Sequence, residues 1–239
     1  MEITWLGHSC FMVKTKQVSL VTDPYDPSLG YPGLKSNANI VTISHSHPGH
    51  SYSSGIAGNP KIIHQAGEYE IGGVFIIGLS NFHDADKGNS RGKNLAYIIE
   101  MEDVRLCHLG DLGHLPLSKQ VEELSIADVL FVPVGGVSTI DARMAAEVVR
   151  LLGPKIVIPM HYKTEVAHWL DPLSNFVREM GLREVVPQSK INLTNSNLPE
   201  ETQVIVLGSP AQQTGQHEDS LHSPKTAQVR DSTESVWTT

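Results

Sequence analysis

The stretch Ile43-Ser44-His45-Ser46-His47-Pro48-Gly49-His50-Ser51 decides how the rest of the chain is interpreted. Its three histidines come shortly after Asn39–Ile43, a run rich in β-branched residues that is typical of a buried strand ending at a sheet edge. Neutral imidazole is the commonest protein ligand for zinc-like ions, and histidines two residues apart at a strand end can share one cavity. A loop that is merely rich in histidine is the alternative, but this density favours a metal site. Gly49 offers no side chain for coordination.

Length and composition predict one sizeable α/β domain followed by a tail. The chain has 239 residues, 40% hydrophobic and 18% charged, which are ordinary values for a globular protein. Apolar periodicity runs to residue 207, so we expect one folded domain over 1–207. Residues 208–239 are polar and lack periodicity, and we expect this tail to be disordered.

Charge and cysteine content narrow the choice of partners and compartment. The net charge of −8 would repel a phosphate backbone, so no nucleic-acid partner is expected. Cys10 and Cys107 are too few and too far apart for a disulfide framework. The chain shows neither a signal-peptide pattern nor a run of 18 apolar residues, so we expect a cytoplasmic protein without membrane contact. A homo-oligomer is left open.

Coarse periodicity predicts several further elements. Leu95–Met101 and Val104–His108 have the pattern of a hairpin across Glu102-Asp103. Helices are expected over Leu117–Leu124, Asp141–Leu152 and Asp171–Met180, and a final strand over Gln203–Leu207.

Other apolar strands also end in polar side chains that bind metals. His83 follows Gly72–Leu79, Asp111 follows the strand ending at His108, and His161 follows Lys155–Met160. Because carboxyl ends of strands in a layered α/β fold converge on one edge, these side chains and the histidines near position 45 are expected to share one cavity. Histidines with a carboxylate and room for water are typical of a catalytic metal site rather than a structural one.

Each additional polar residue has two interpretations. Asp84 either accepts the proton on the outward nitrogen of His83 or is a solvated loop acid. His8 and Asp23 are turn formers or contribute to the site, and Asp111 is a metal ligand or the acceptor of an Asx turn.

Four motifs carry a resemblance to a known family. His45-Ser-His47-Pro-Gly49-His50, His83, Gly110-Asp111 and Pro159-Met-His161-Tyr resemble, in order and spacing, the metal motifs of the metallo-β-lactamase superfamily. Four stretches look more narrowly like its ascorbate-6-phosphate-lactonase-like branch of metal-dependent hydrolases, namely Ile3–Ser9, Thr22–Pro24, His108–Gly113 and Ile158–Tyr162. The resemblance covers residues 1 to about 207 and implies a metallo-hydrolase domain over 1–207.

The resemblance implies an αββα four-layer sandwich with mixed sheets, outer helices and metals at one edge. It assigns His45, His47 and His83 to a first metal and His50 and His161 to a second, with Asp111 bridging. Asp111 and His161 would then be the catalytic residues. The family has an aspartate where this chain has Gly49, so the second site lacks a ligand, and His8, Asp23, Asp84 and Gly49 are outer-shell candidates.

Three functions follow as hypotheses. The leading one is hydrolysis of an ester, lactone or phosphoester bond in a small polar metabolite by a metal-bound hydroxide. One or two zinc ions are expected, with Mn, Fe or Ni as alternatives, because His/Asp sites accept all four. The alternatives are a metal-dependent nuclease or phosphodiesterase, and a non-catalytic metal-binding protein whose second site is impaired by Gly49.

Overall fold

A computed structural model describes residues 1–208, and the tail expected to be disordered lies almost entirely outside these residues. The described part contains fifteen strands, which run in chain order as β1 (Glu2–Gly7), β2 (Cys10–Lys14), β3 (Ser19–Thr22), β4 (Ser36–Asn37), β5 (Ile40–Thr42), β6 (Ile56–Ala57), β7 (Lys61–Ile63), β8 (Gly67–Ile71), β9 (Val74–Phe82), β10 (Lys93–Met101), β11 (Val104–His108), β12 (Val129–Pro133), β13 (Ile156–Met160), β14 (Ile191–Asn192) and β15 (Gln203–Val204). Its α-helices are α1 (Ser118–Leu124), α2 (Ala142–Leu152) and α3 (Leu173–Glu179).

Two mixed sheets form the body of the domain. The first has the order β14-β1-β2-β3-β5-β7, the second has the order β15-β13-β12-β11-β10-β9-β8, and β4 and β6 form a separate pair. The expected hairpin is present, since β10 and β11 pair antiparallel from Met101↔Val104 outward. Its two turn residues, Glu102 and Asp103, have φ of 50° and 60°, as a tight hairpin turn requires.

The two sheets enclose one hydrophobic core. Phe11 of the first sheet and Phe131 of the second are both fully buried, and their ring centroids lie 4.5 Å apart. The hydroxyl of Tyr97 on β10 crosses to the first sheet, donating to the carbonyls of Ile43 at 2.8 Å and Ile63 at 3.1 Å. Burial on both faces explains why the central strands read as continuous apolar runs.

The two halves are covered differently on their outer faces. The three described α-helices belong to the second half: α1 follows β11, α2 follows β12 and α3 follows β13. Helix α2 packs against both β12 and α3. The first sheet is covered instead by a small apolar cluster that includes Tyr25, Tyr31 and Ala38, all from the segment between β3 and β5. The fold is therefore the expected mixed α/β class, with its regular helices concentrated on one side.

Element bounds differ from the predictions in a few places. The helix expected to begin at Asp141 begins at Ala142, because Asp141 is its N-cap and accepts from the Met144 N–H at 2.8 Å. The strand expected over Gly72–Leu79 runs from Val74 to Phe82, so it reaches His83 directly. The final strand ends at Val204 rather than Leu207.

Strand direction brings the polar strand ends to one edge. In the first sheet β1, β3 and β5 run parallel to one another, because β2 is antiparallel to both β1 and β3 and β5 is parallel to β3. In the second sheet β9, β11 and β13 share one direction for the same reason. Their carboxyl ends deliver, in order, His8, Asp23, His45, His83, Asp111 and His161.

Among residues 1–208, no helix is long and apolar enough to cross a membrane.

Candidate metal centre

The carboxylate of Asp111 lies at the centre of a ring of imidazoles. Asp111 is 3% exposed, and its backbone N–H is fixed by Asn94 Oδ1 at 3.0 Å. Gly110 precedes it with φ of 56° and has no room for a side chain. Four imidazole nitrogens surround the Asp111 Oδ2 oxygen, namely the Nε2 atoms of His50 at 3.3 Å, His83 at 3.3 Å, His161 at 3.4 Å and His45 at 3.9 Å.

Several buried atoms of this ring have no hydrogen-bond partner in the described protein. They include the Nε2 atoms of His45 and His50 and the Oδ1 atom of Asp111. A buried acceptor without a donor is costly, so such a group of lone pairs is expected only where a cation satisfies it. The ligand atoms form two compact groups, each spanning at most 4.8 Å: His45 with His83 and Asp111, and His8 with His50 and His161. The donor set fits two first-row metal ions.

Asp23 fixes the orientation of two of these histidines. Its Oδ2 atom accepts from His50 Nδ1 at 2.9 Å and from the Ser44 hydroxyl at 2.5 Å, and its Oδ1 atom accepts from the Ser44 N–H at 2.7 Å. Because the Ser44 hydroxyl proton points to Asp23, the Ser44 oxygen is free to accept from His45 Nδ1, 2.9 Å away. Both imidazoles therefore carry a proton on Nδ1 and direct Nε2 inward, the orientation that a metal ligand requires.

The protonation states of the group suit metal binding. Burial, reinforced by the neighbouring His50, lowers the pKa of His45 to about 3. Burial also lowers the pKa of His161, and together with His161 and His50 it holds the pKa of His8 well below its usual value. Although burial opposes ionisation, His161 and His50 hold the pKa of Asp111 well below its usual value. Neutral imidazoles beside an ionised carboxylate are the binding-competent forms.

His50 differs from its neighbours. Burial opposes its charging, but Asp111 and Asp23 raise the pKa of His50 to about 10. Without a cation, this imidazole therefore holds a proton between two carboxylates. A metal ion that binds here displaces that proton and takes over its charge.

Three of the strand-end residues have a left-handed backbone conformation. The φ angles are 53° for His8, 38° for Asp23 and 52° for His161. This conformation is unfavourable for residues with a side chain and is concentrated at functional sites, where the surrounding structure enforces it. Here the backbone turns sharply at the end of each strand. The histidines and Asp23 are thereby brought into the shared edge.

His47 and Asp84 lie differently from the other predicted site residues. His47 is exposed on the wall of the site, its ring centroid 6.0 Å from that of His45, and it belongs to neither compact group. The Asp84 carboxylate accepts four backbone N–H groups of its own loop, those of Asp86, Gly88, Ser90 and Arg91 at 2.7 to 3.1 Å, and His83 Nδ1 has no hydrogen-bond partner in the described protein. Of the two interpretations of Asp84, the structure has the loop acid, and this carboxylate organises the loop.

The metal centre opens onto a cavity of about 430 Å³. The metal-ligand candidates form its floor, and its walls include Leu29, Ser138, Trp169 and Arg91. The Arg91 guanidinium donates to the Val137 carbonyl at 3.0 Å, which joins two loops at the cavity wall. Arg91 and Trp169 lie in loops without a recognisable motif, so sequence reasoning did not identify them.

Two β-sheets with six strand ends meeting in a His/Asp cluster define a metal-dependent hydrolase of the metallo-β-lactamase fold. A sequence model described as the β-lactamase superfamily domain matches residues 2–161. The chain belongs to this superfamily, and it is a metal-dependent hydrolase with a metal cofactor. The narrower likeness to ascorbate-6-phosphate lactonases stays a prediction.

Relatives and solved structures agree with this assignment. A UPF0173 protein of Pyrococcus abyssi is 30% identical over 208 residues, covering 77% of this chain and 93% of the relative. A UPF0173 metal-dependent hydrolase of Methanoregula boonei is 27% identical, with 69% and 84% covered. A crystal structure from Thermotoga maritima, described as a candidate Zn-dependent hydrolase of the superfamily, is 40% identical with a TM-score of 0.72 and covers 86% of this chain and 97% of its own.

Proposed function

We propose that the enzyme hydrolyses an ester, lactone or phosphoester bond in a small polar metabolite that carries a negative charge. The observation that carries the proposal is a cavity of about 430 Å³ with a guanidinium at its wall and a His/Asp cluster on its floor, in which several buried side-chain atoms lack a hydrogen-bond partner in the described protein. A cavity of this size accommodates a metabolite rather than a polymer. Arginine suits carboxylate and phosphate groups, because its planar donors pair with two oxygens at once.

In this proposal the metal ligands are His45, His47, His83, Asp111, His50 and His161. When bound, the ions would acidify a water molecule and polarise the scissile oxygen. Zinc is the proposed metal, since histidine nitrogens with one carboxylate suit it well.

The protein's own residues supply orientation and exclusion of water. Asp23 and Ser44 hold the imidazoles of His50 and His45 in one tautomer, so no reorganisation is needed when substrate enters. The ionised Asp111 carboxylate balances positive charge in the buried floor. Arg91 holds the substrate's charged group at the wall, away from the reacting bond. Leu29 and Trp169 limit the water that reaches the floor from the sides.

A nuclease is less well supported. The chain has a net charge of −8, and Arg91 is the one arginine or lysine among the described residues that line the cavity. A nucleic-acid backbone needs several such contacts for useful affinity.

The test is a panel of paired substrates given to zinc-loaded protein. Lactones, carboxylic esters and phosphodiesters are each supplied with and without a neighbouring carboxylate or phosphate group. We expect turnover of a charged member, lost on metal removal, and a rise in KM of about tenfold or more in Arg91→Ala, about the value of one charge-assisted contact. Lys93→Ala is the matched control, because Lys93 is exposed two residues away and does not line this cavity.

Two results would contradict the proposal. Full metal occupancy without turnover of any panel member rejects the reaction class. If the charged and the neutral substrate of each pair have equal KM values, and Arg91→Ala changes neither value, the proposed negative charge on the substrate is rejected.

A further inference from the structure

Glycine at position 49 is explained by a neighbouring side chain and not by its own backbone conformation. Its φ is not in the left-handed region, so its backbone conformation is open to any residue. It is buried, and a Cβ atom placed on it would lie 3.0 Å from His8 Nε2 and 3.2 Å from His8 Cδ2. A side chain at position 49 would therefore press against the imidazole of His8 from its first carbon onward.

His8 is held in that position from several sides. It follows Gly7, whose φ of 124° and close approach to the Tyr31 ring require glycine. The His8 carbonyl accepts from Trp5 Nε1 at 2.9 Å and from the His161 N–H at 3.2 Å. Its left-handed φ of 53° turns the ring toward the site. The backbone thus fixes the ring beside Gly49 without using either ring nitrogen.

The His8 ring faces two predicted ligands of the second metal. His8 is 6% exposed, and its ring centroid lies 4.3 Å from that of His161 and 5.0 Å from that of His50. A ligand atom from each of these three histidines fits within 4.8 Å of the others. The His8 Nδ1 atom is buried and has no hydrogen-bond partner in the described protein. The imidazole of His8 thus has a nitrogen without a partner and lies beside the imidazoles of His50 and His161, and the three together can serve as ligands of one metal ion.

We propose that His8 is a direct ligand of the second metal and takes the place of the missing carboxylate at position 49. The second ion is then held by His8, His50 and His161, with Asp111 shared between the two ions. The inference rests on the metal ligation proposed above. It goes beyond that proposal, because His8 is not among the ligands named there.

The replacement changes the charge and the chemistry of the site. A neutral imidazole stands where an anion would stand, so Asp111 is the one carboxylate within the two compact groups. A nitrogen-rich set favours zinc, nickel or copper over magnesium, calcium or manganese, which prefer oxygen ligands. The second site should therefore discriminate against manganese more strongly than a site with an aspartate at position 49.

The test measures metal binding directly, with Zn²⁺ or Co²⁺ as the probe and no substrate. Apo protein is titrated against a competing chelator, and the bound ions are counted by elemental analysis; the Co²⁺ absorption spectrum reports the coordination of each site. The wild-type protein should bind two ions per chain. His8→Ala should weaken the weaker site by about 10- to 100-fold or more, since loss of a ligand is at least as serious as loss of an outer-shell partner.

A paired substitution makes the test specific. Gly49→Asp alone should not strengthen the second site, because the new side chain would press against the His8 ring and displace it from its position beside the site. His8→Ala together with Gly49→Asp should restore two ions, so the two changes are strongly non-additive. The double variant should also gain affinity for Mn²⁺ relative to Zn²⁺. His64→Ala is the matched control, because His64 is an exposed histidine outside the metal cavity.

The outcomes separate this inference from the proposed function. Two ions with unchanged affinities in His8→Ala, or a single ion in the wild-type protein at saturation, would overturn it. If His8→Ala does not fold, His8→Gln keeps the size of the ring but ligates poorly, and the same two criteria apply to it. Loss of the second ion alone on substitution of His8, in a protein that hydrolyses no panel substrate, would support this inference while rejecting the proposed function.

Discussion

The His50 imidazole donates from Nδ1 to Oδ2 of the Asp23 carboxylate at 2.9 Å, and both side chains are buried. Asp23 directly follows β3, and His50 lies in the loop after β5. The bond fixes the tautomer of His50 from behind and leaves Nε2 directed at Asp111. Asp23 also holds Ser44, which contacts His45, so one carboxylate orients histidines of both metal groups.

Asp23→Asn is expected to weaken metal binding by about 10- to 100-fold, the usual cost of losing a partner that orients a ligand. The amide keeps the size of the side chain but removes the charge and presents a donor to Ser44 or His50. Chelator competition with Zn²⁺ measures the change. Asp103→Asn is the control, because Asp103 is exposed in the distant hairpin turn. Unchanged affinities at both sites would show that Asp23 has only a structural role.

Strand-end histidines could be predicted from the sequence because each follows an apolar run whose length and composition mark a strand. The convergence of His45, His83 and His161 on one edge then follows from the common direction of those strands. The bonding of Asp84 could not be predicted, since a carboxylate after a histidine looks the same whether it faces the ring or its own loop.

The sequence placed His8 among the outer-shell candidates but could not predict its closeness to Gly49, because that depends on contacts between residues far apart in sequence. A Cβ atom at position 49 would lie 3.0 Å from His8 Nε2, and this three-dimensional proximity links the two positions. Strand β8 was missed for another reason. Its glutamates, Glu68 and Glu70, alternate with half-buried Tyr69 and Ile71, a pattern typical of an amphipathic edge strand with weak apolar content.

Asp84→Ala is expected to loosen the loop that carries Arg91 without removing metal. Four backbone N–H groups lose their acceptor, so the amides of Asp86, Gly88, Ser90 and Arg91 should exchange hydrogen faster. Those same hydrogen bonds hold the pKa of Asp84 below its usual value despite the opposing effect of desolvation. Hydrogen exchange and elemental analysis make the measurement, and Asp86→Ala in the same loop is the control.

A different pattern would restore the other interpretation of Asp84. If Asp84→Ala lost zinc while the loop amides kept their exchange rates, the carboxylate would act on His83 rather than on the loop.

Cys10 and Cys107 are expected to be inert toward thiol reagents in the native protein. Both are fully buried. Burial, helped at Cys10 by the negative charge of Asp23, raises the pKa of both thiols, so very little of the reactive thiolate forms. An aromatic disulfide reagent at pH 8 should label neither thiol in native protein and both in denaturant.

Ser90→Cys provides the positive control for that measurement, because Ser90 is exposed in the loop after His83. This variant should label once in the native state. Native wild-type protein that reacted as fast as the variant would show that the core around Cys10 or Cys107 opens readily.

Tyr97→Phe is expected to lower the free energy of unfolding by about 1–3 kcal/mol, the usual cost of removing the donor to a buried acceptor. The acceptor affected is the Ile43 carbonyl, since the Ile63 carbonyl also accepts from the Ile43 N–H at 2.8 Å. The Tyr97 hydroxyl is the link from β10 to the carbonyls of Ile43 and Ile63, which end adjacent strands of the first sheet. Ile43 lies two residues before His45, so loosening this link should also weaken zinc binding slightly. Denaturant unfolding of the metal-free protein measures the first effect and chelator competition the second.

Tyr69→Phe is the control, since the hydroxyl of this half-buried tyrosine donates at 3.1 Å to the carbonyl of Gln65 near the exposed edge of the second sheet. Equal loss of stability in the two variants would mean that the bond between the sheets contributes no more than a surface hydrogen bond.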